Sequence, residues 1–91
     1  MAIVTLRYWA AAKDAAGVAE EKVEAETLAV ALAEGVAAAL ERSGDHGDRL
    51  ERVIARSSYL VDGQPAGTRP PESIRLDTGA VIEVLPPFAG G

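Results

Sequence analysis

The chain has no cysteine, one histidine, one tryptophan, one phenylalanine and two tyrosines. Without cysteine there is no disulfide framework, no thiolate metal site and no cysteine nucleophile, so any reactive sulfur must be brought from elsewhere. His46 stands in a polar, glycine-punctuated stretch and lacks a second His or Cys to complete a metal site. It reads as a surface residue, and no metal is expected. Cationic residues are also few: nine Lys and Arg stand against fourteen Asp and Glu, a net charge of −5. That balance opposes a phosphate backbone and argues against nucleic acid as a partner. It reads instead as a solubilising surface. No apolar run approaches the ~20 residues of a membrane-spanning helix. The start shows no basic, apolar and small-residue succession, so a cytoplasmic protein is expected. At 91 residues the chain suits one domain around one core.

What is present is periodic. Residues 3–9 are β-branched and aromatic, with Val4, Leu6 and Tyr8 at alternate positions, the period of a half-buried strand. An alanine-rich segment, 10–16, predicts a short helix closed by Gly17. Residues 20–25 alternate Glu21, Val23 and Ala25 against Glu20, Lys22 and Glu24, which suits a strand whose edge is blunted by charge. From Thr27, an N-cap candidate, Leu28, Leu32, Val36 and Leu40 recur every fourth residue and predict the main helix, with Ala39 in the same stripe. Gly35 within it points to close packing against a sheet. Residues 43–48 read as a loop, followed by one or two helical turns carrying Leu50, Val53 and Ile54. A strand over 58–61, the Asp62-Gly63 turn and a return strand over 64–67 form a hairpin. Residues 68–72, with Pro70-Pro71, are a loop, and 80–85 are the last strand.

The first and last strands are the most apolar, and the helix can cover a parallel crossover between them, so they are expected side by side in the middle of the sheet. The fold class is therefore α+β: a mixed sheet of about five strands with one main helix across one face, resembling the β-grasp of ubiquitin. Residues 1–85 form this domain and 86–91 an extended tail.

The tail, Pro86-Pro87-Phe88-Ala89-Gly90-Gly91, carries the chemistry. Proline cannot continue a ladder, so the diproline is a stiff stalk leaving the sheet. Extended, these residues reach ~20 Å at about 3.3–3.6 Å each, enough to enter another protein's active site. Gly90 and Gly91 pass a narrow channel for want of side chains. The Gly91 α-carboxylate is ionised at neutral pH and able to attack the α-phosphate of ATP, giving an acyl-adenylate that a sulfur nucleophile converts to a thiocarboxylate. The competing reading is an ordinary frayed end, in which glycine is common.

These features resemble the MoaD/ThiS superfamily of ubiquitin-like sulfur carriers, and within it the MoaD-like small subunits of molybdopterin synthase. The specific part is the ending, a hydrophobic residue followed by Pro-Pro-x-x-Gly-Gly, here Leu85 to Gly91. The resemblance implies a carrier with no catalytic side chains and no permanently bound cofactor. It is activated by a MoeB-like adenylyltransferase that consumes ATP, loaded from a persulfide enzyme, and inserted into a MoaE-like large subunit to sulfurate a cyclic pyranopterin precursor. It also implies docking through Trp9 and Leu85, for which ordinary packing is the alternative. The family often has an aromatic residue where this chain has Leu85. Other readings are a carrier serving thiamine, cysteine or another thiolated product, a ubiquitin-like protein modifier, and a β-grasp binding module with an idle tail. Glu20, Glu21, Glu24 and Glu26 read as a solvated edge, and Arg69 and Arg75 as solvated or as contacts to an acidic partner or a phosphate.

Overall fold

In the computed structural model, residues 2–87 are described. The element order is β1 (Ile3–Tyr8), α1 (Ala11–Ala16), β2 (Glu20–Glu24), α2 (Leu28–Arg42), α3 (Gly44–Ile54), β3 (Ser58–Val61), β4 (Gln64–Pro65), a 3₁₀ turn (Pro71–Ser73) and β5 (Val81–Leu85). The sheet order is β2-β1-β5-β3-β4. Strands β1 and β5 are parallel, with Thr5 opposite Val81 and Tyr8 opposite Val84, while β2 and β3 flank them antiparallel. The first and last strands thus share the middle of the sheet, as their apolar character predicts. The Asp62-Gly63 turn has both residues at positive φ, 50° and 80°, the backbone that matches the twist of a two-residue hairpin. The return strand is shorter than expected, ending at Pro65: the Ala66 N–H still donates to the Tyr59 carbonyl at 2.9 Å, but Gly67, at φ 64°, turns the chain out of the extended backbone.

The core lies between the sheet and the helices. Val4, Leu6 and Tyr8 of β1 and Ile82 and Val84 of β5 are buried against Leu28, Ala31, Leu32 and Ala39 of α2. Thr27 caps α2, its hydroxyl oxygen accepting the Val30 N–H at 3.2 Å. The buried stripe is not the four-residue repeat read from the sequence. At 3.6 residues per turn, every-fourth positions drift by about 40° per step. Leu40 has therefore rotated out of the core and is 49% exposed, while Gly35 has rotated in. A Cβ on Gly35 would stand 2.5 Å from the Tyr8 hydroxyl and 2.8 Å from Leu6 Cδ1, so the glycine is where the helix meets the sheet.

The largest correction concerns 43–54. The stretch expected as a loop is the first half of α3, which is eleven residues long and begins directly after Ser43. Its glycines and aspartates are poor helix formers, but tertiary packing decides. Leu50 is fully buried, Val53 and Ile54 pack against the core, and Gly47 lies against Leu40 of α2 where a side chain has no room. The Tyr59 hydroxyl donates to the Ile54 carbonyl at 2.6 Å and ties the end of α3 to β3.

Two further expectations change. Glu21 is not solvated: it accepts from the Tyr8 hydroxyl at 2.6 Å and from Arg42 at 3.0 Å, and Arg42 also donates to the Ala16 carbonyl at 2.8 Å. This network joins β1, β2, α1 and the end of α2. His46 is not a surface loop residue but a half-buried one on α3, its ring against Gly17 and its Nδ1 without a hydrogen-bond partner among the described residues.

Burial first, then the hydrogen bond and negative charge of Glu21, hold the Tyr8 phenol well above the ordinary value of 10.0, with Arg42 opposing. Burial raises Tyr59 as well. A raised folded-state pKa leaves stability intact below the unfolded value; as pH climbs past about 10, the unfolded chain releases protons that the folded one retains, and stability falls. The thermal midpoint is expected to decline above that pH, and Tyr8→Phe to decline less steeply because only Tyr59 then contributes. Melting curves of both chains across the alkaline range check this. Parallel curves would remove Tyr8 from the account.

Candidate functional site

The site is the end of the sheet where β5 runs out. Leu85 is the last paired residue, opposite Ser58 of β3. Pro86 is half-buried and Pro87 exposed, so the chain leaves the central strand and not a sheet edge. Phe88, Ala89, Gly90 and Gly91 lie outside the described residues.

Trp9 sits beside this exit. Its backbone N–H donates to the Val84 carbonyl at 3.3 Å, carrying the β1–β5 ladder one step beyond the strand, and its carbonyl accepts from Ala12 at 2.9 Å. Ala10 then turns the chain sharply into α1 at φ 48°, an uncommon conformation for a residue with a Cβ. The Trp9 backbone is thereby held between strand and helix. The indole is 48% exposed, and its Nε1–H donates to Glu83 Oε1 at 3.2 Å, across the sheet and away from α1. The choice between packing on the short helix and standing at the surface resolves toward the surface.

Register places the neighbours. Glu83 is opposite Arg7 on one side and Leu60 on the other, and Leu60 is opposite Pro65. On these strands the core-facing residues are buried, so Trp9, Leu60, Val81, Glu83 and Leu85 share the sheet face that the helices leave uncovered. That face has two halves. Over β1 and β2 it is charged, with Arg7 3.6 Å from Glu20 and Lys22 and Glu24 beyond. Over β5, β3 and β4 it is largely apolar, and this half adjoins the diproline. Trp9, Leu85, Pro86 and Pro87 are thus brought together as the sequence suggested. Leu60 and Glu83 were not singled out, although alternation along β5 already set Glu83 on the Leu85 face.

Elsewhere the described residues offer little chemistry. No group of three or more His, Asp or Glu among them is arranged to hold a metal. The groove between α2 and α3 is lined by apolar side chains including Leu32, Val36, Leu40 and Ile54. Arg69 donates to the carbonyls of Ala66 and Pro65, which commits it to its own turn, and Arg75 is exposed. No helix is long and apolar enough to cross a membrane.

Neither a protein-family model nor a curated protein matches the sequence. Solved structures do match the fold. Small archaeal modifier protein 1 (SAMP1) from Haloferax volcanii superposes with a TM-score of 0.75 at 21% identity, covering 98% of this chain and 99% of that one. A putative molybdopterin converting factor subunit 1 from Pyrococcus furiosus gives 0.73 at 19%, covering 97% and 100%. A complex of subunits 1 and 2 of molybdopterin-converting factor from Helicobacter pylori gives 0.59 at 19%, covering 98% and 99%. The chain has the β-grasp fold of these proteins over nearly its whole length.

Proposed function

We propose that this β-grasp chain is a sulfur carrier that serves molybdopterin synthesis as the small, non-catalytic partner of a larger subunit. The observation that carries the reading is the convergence at one end of the sheet. A diproline leaves the central strand beside an exposed tryptophan and a half-apolar open face, and leads into Phe88-Ala89-Gly90-Gly91. A face next to the stalk docks a partner while the stalk delivers its end into that partner's active site. The form that acts ends at Gly91. Its carboxylate attacks the α-phosphate of ATP on a MoeB-like adenylyltransferase and releases pyrophosphate. The outer sulfur of an enzyme persulfide then displaces AMP to give an acyl disulfide, and a thiol attacks the enzyme-side sulfur, which leaves Gly91 as the thiocarboxylate and the two thiols joined in a disulfide. Trp9, Leu85, Pro86, Pro87, Phe88, Ala89 and Gly90 contact the partners, and the catalytic side chains belong to those partners. The pairing of subunits 1 and 2 in the Helicobacter pylori structure supports a MoaE-like partner.

The test is reconstitution. Thiocarboxylated chain, a MoaE-like large subunit and the cyclic pyranopterin precursor are expected to yield the dithiolene product. A loaded chain that binds the large subunit but never passes on sulfur would contradict the molybdopterin assignment. A second reading, a protein modifier, draws support from the likeness to small archaeal modifier protein 1. Conjugates linked through Gly91 to target lysines in cell extracts would favour it.

A further inference from the structure

The geometry points to a cationic side chain on the docking partner, an arginine or lysine that lies over Trp9 and pairs with Glu83. This rests on the docking role proposed for the open face and adds the chemistry of what docks there. Glu83 is the one acidic residue on β5, and it stands in the largely apolar half of the face, between Arg7 and Leu60 in register. Of its carboxylate, Oε1 accepts the Trp9 indole N–H at 3.2 Å, and Oε2 has no partner among the described residues. Arg7, the cation opposite Glu83 in the ladder, is turned the other way, its Nε 3.6 Å from Glu20. Glu83 therefore has no ion-pair partner among the described residues and stands at the border of the apolar half, next to Leu60.

Such a carboxylate is poorly placed for an apolar partner alone, because covering it without a counter-charge removes it from water for nothing in return. A cation repairs this. Arginine fits best: its planar fork reaches a carboxylate oxygen while its face stacks on an indole, whose ring attracts positive charge. The hydrogen bond to Glu83 also fixes the indole's orientation, so the aromatic face and the free oxygen are presented together. The net charge of −5 adds a general attraction for a basic surface, but Glu83 is what gives it an address.

The experiment uses the full chain, a MoaE-like large subunit as the probe, and titration calorimetry at low and high salt. Glu83→Gln retains an acceptor for the indole N–H and removes only the charge. It is expected to weaken binding about tenfold at low salt, the scale of one hydrogen bond to a charged group, and to flatten the salt dependence. Glu24→Gln makes the same change in net charge on β2 and is expected to bind as the wild type does. Trp9→Leu is expected to weaken binding and also to shrink the effect of Glu83→Gln, because the two act on one side chain. Wild-type binding unaltered by Glu83→Gln overturns the inference and leaves the docking role standing. Equal losses from Glu83→Gln and Glu24→Gln reduce it to net charge and overturn it too. A wild type that does not bind the large subunit at all overturns the docking role and the inference with it.

Discussion

Gly35→Ala is expected to lower the thermal midpoint of this protein, although alanine is the better helix former. Inside α2 the exchange by itself favours folding by about 1 kcal/mol. Packing outweighs it. The added methyl would stand 2.5 Å from the Tyr8 hydroxyl and 2.8 Å from Leu6 Cδ1, and neither atom is free to move aside. Leu6 is fully buried, and the Tyr8 hydroxyl is pinned by its 2.6 Å bond to Glu21, which Arg42 holds in turn. Either α2 lifts from the sheet or Tyr8 gives up Glu21. Overpacking costs about 1–3 kcal/mol, and a buried bond left unmade a similar amount. Less the helix gain, the net expectation is a loss of about 1 kcal/mol, roughly 4–8 °C in a domain of this size. Gly44→Ala is the control, since nothing lies within 4 Å of its Cβ position at the start of α3. That variant is expected to be neutral or more stable. A Gly35→Ala chain that melts no lower than the wild type would mean that helix and sheet are not in contact there.

The second large effect is functional. Removing Gly91 is expected to abolish sulfur loading while leaving the melting temperature unchanged. Among the described residues the core ends at Val84 and the ladder at Leu85, and no loss of stability is expected from removing the last residue. Loading depends on it through reach and shape. Without Gly91 the terminal carboxylate belongs to Gly90 and sits about 3.5 Å short of its place. Displacements far smaller than this slow reactions that rely on positioning by about a hundredfold. Gly91→Val keeps the length but adds a branched side chain where a narrow channel is expected, and a large loss is predicted for it as well. Full loading of either variant would detach the tail from the mechanism.

Much of the fold was legible because it follows from alternation and turn chemistry. Val4, Leu6 and Tyr8, then Ile82 and Val84, mark the two central strands, and Asp62-Gly63 marks the hairpin. The first half of α3 was not legible, although its last turns, with Leu50, Val53 and Ile54, were. Its pattern is broken by Gly44 and Gly47, and Gly47 is tolerated only because Leu40 of α2 occupies the space beside it, a fact about a neighbour and not about the segment. Leu40 itself was misplaced by treating a four-residue repeat as a straight stripe. At the candidate site, Leu85 and the diproline were plain, and Trp9 was ambiguous between packing and exposure. The bond from Trp9 to Glu83 depends on the parallel register of β1 and β5, together with the turn at Ala10. Sequence suggests the pairing of those strands but does not set its register.

The measurement that bears most directly on the carrier mechanism is the intact mass of the chain after incubation with ATP, a MoeB-like adenylyltransferase and a sulfide source. Exchange of one oxygen for sulfur adds about 16 Da, and this gain is predicted for the wild type and for Gly44→Ala but not for the chain lacking Gly91. An unchanged wild-type mass, with an enzyme that loads another diglycine carrier in the same buffer, would contradict it.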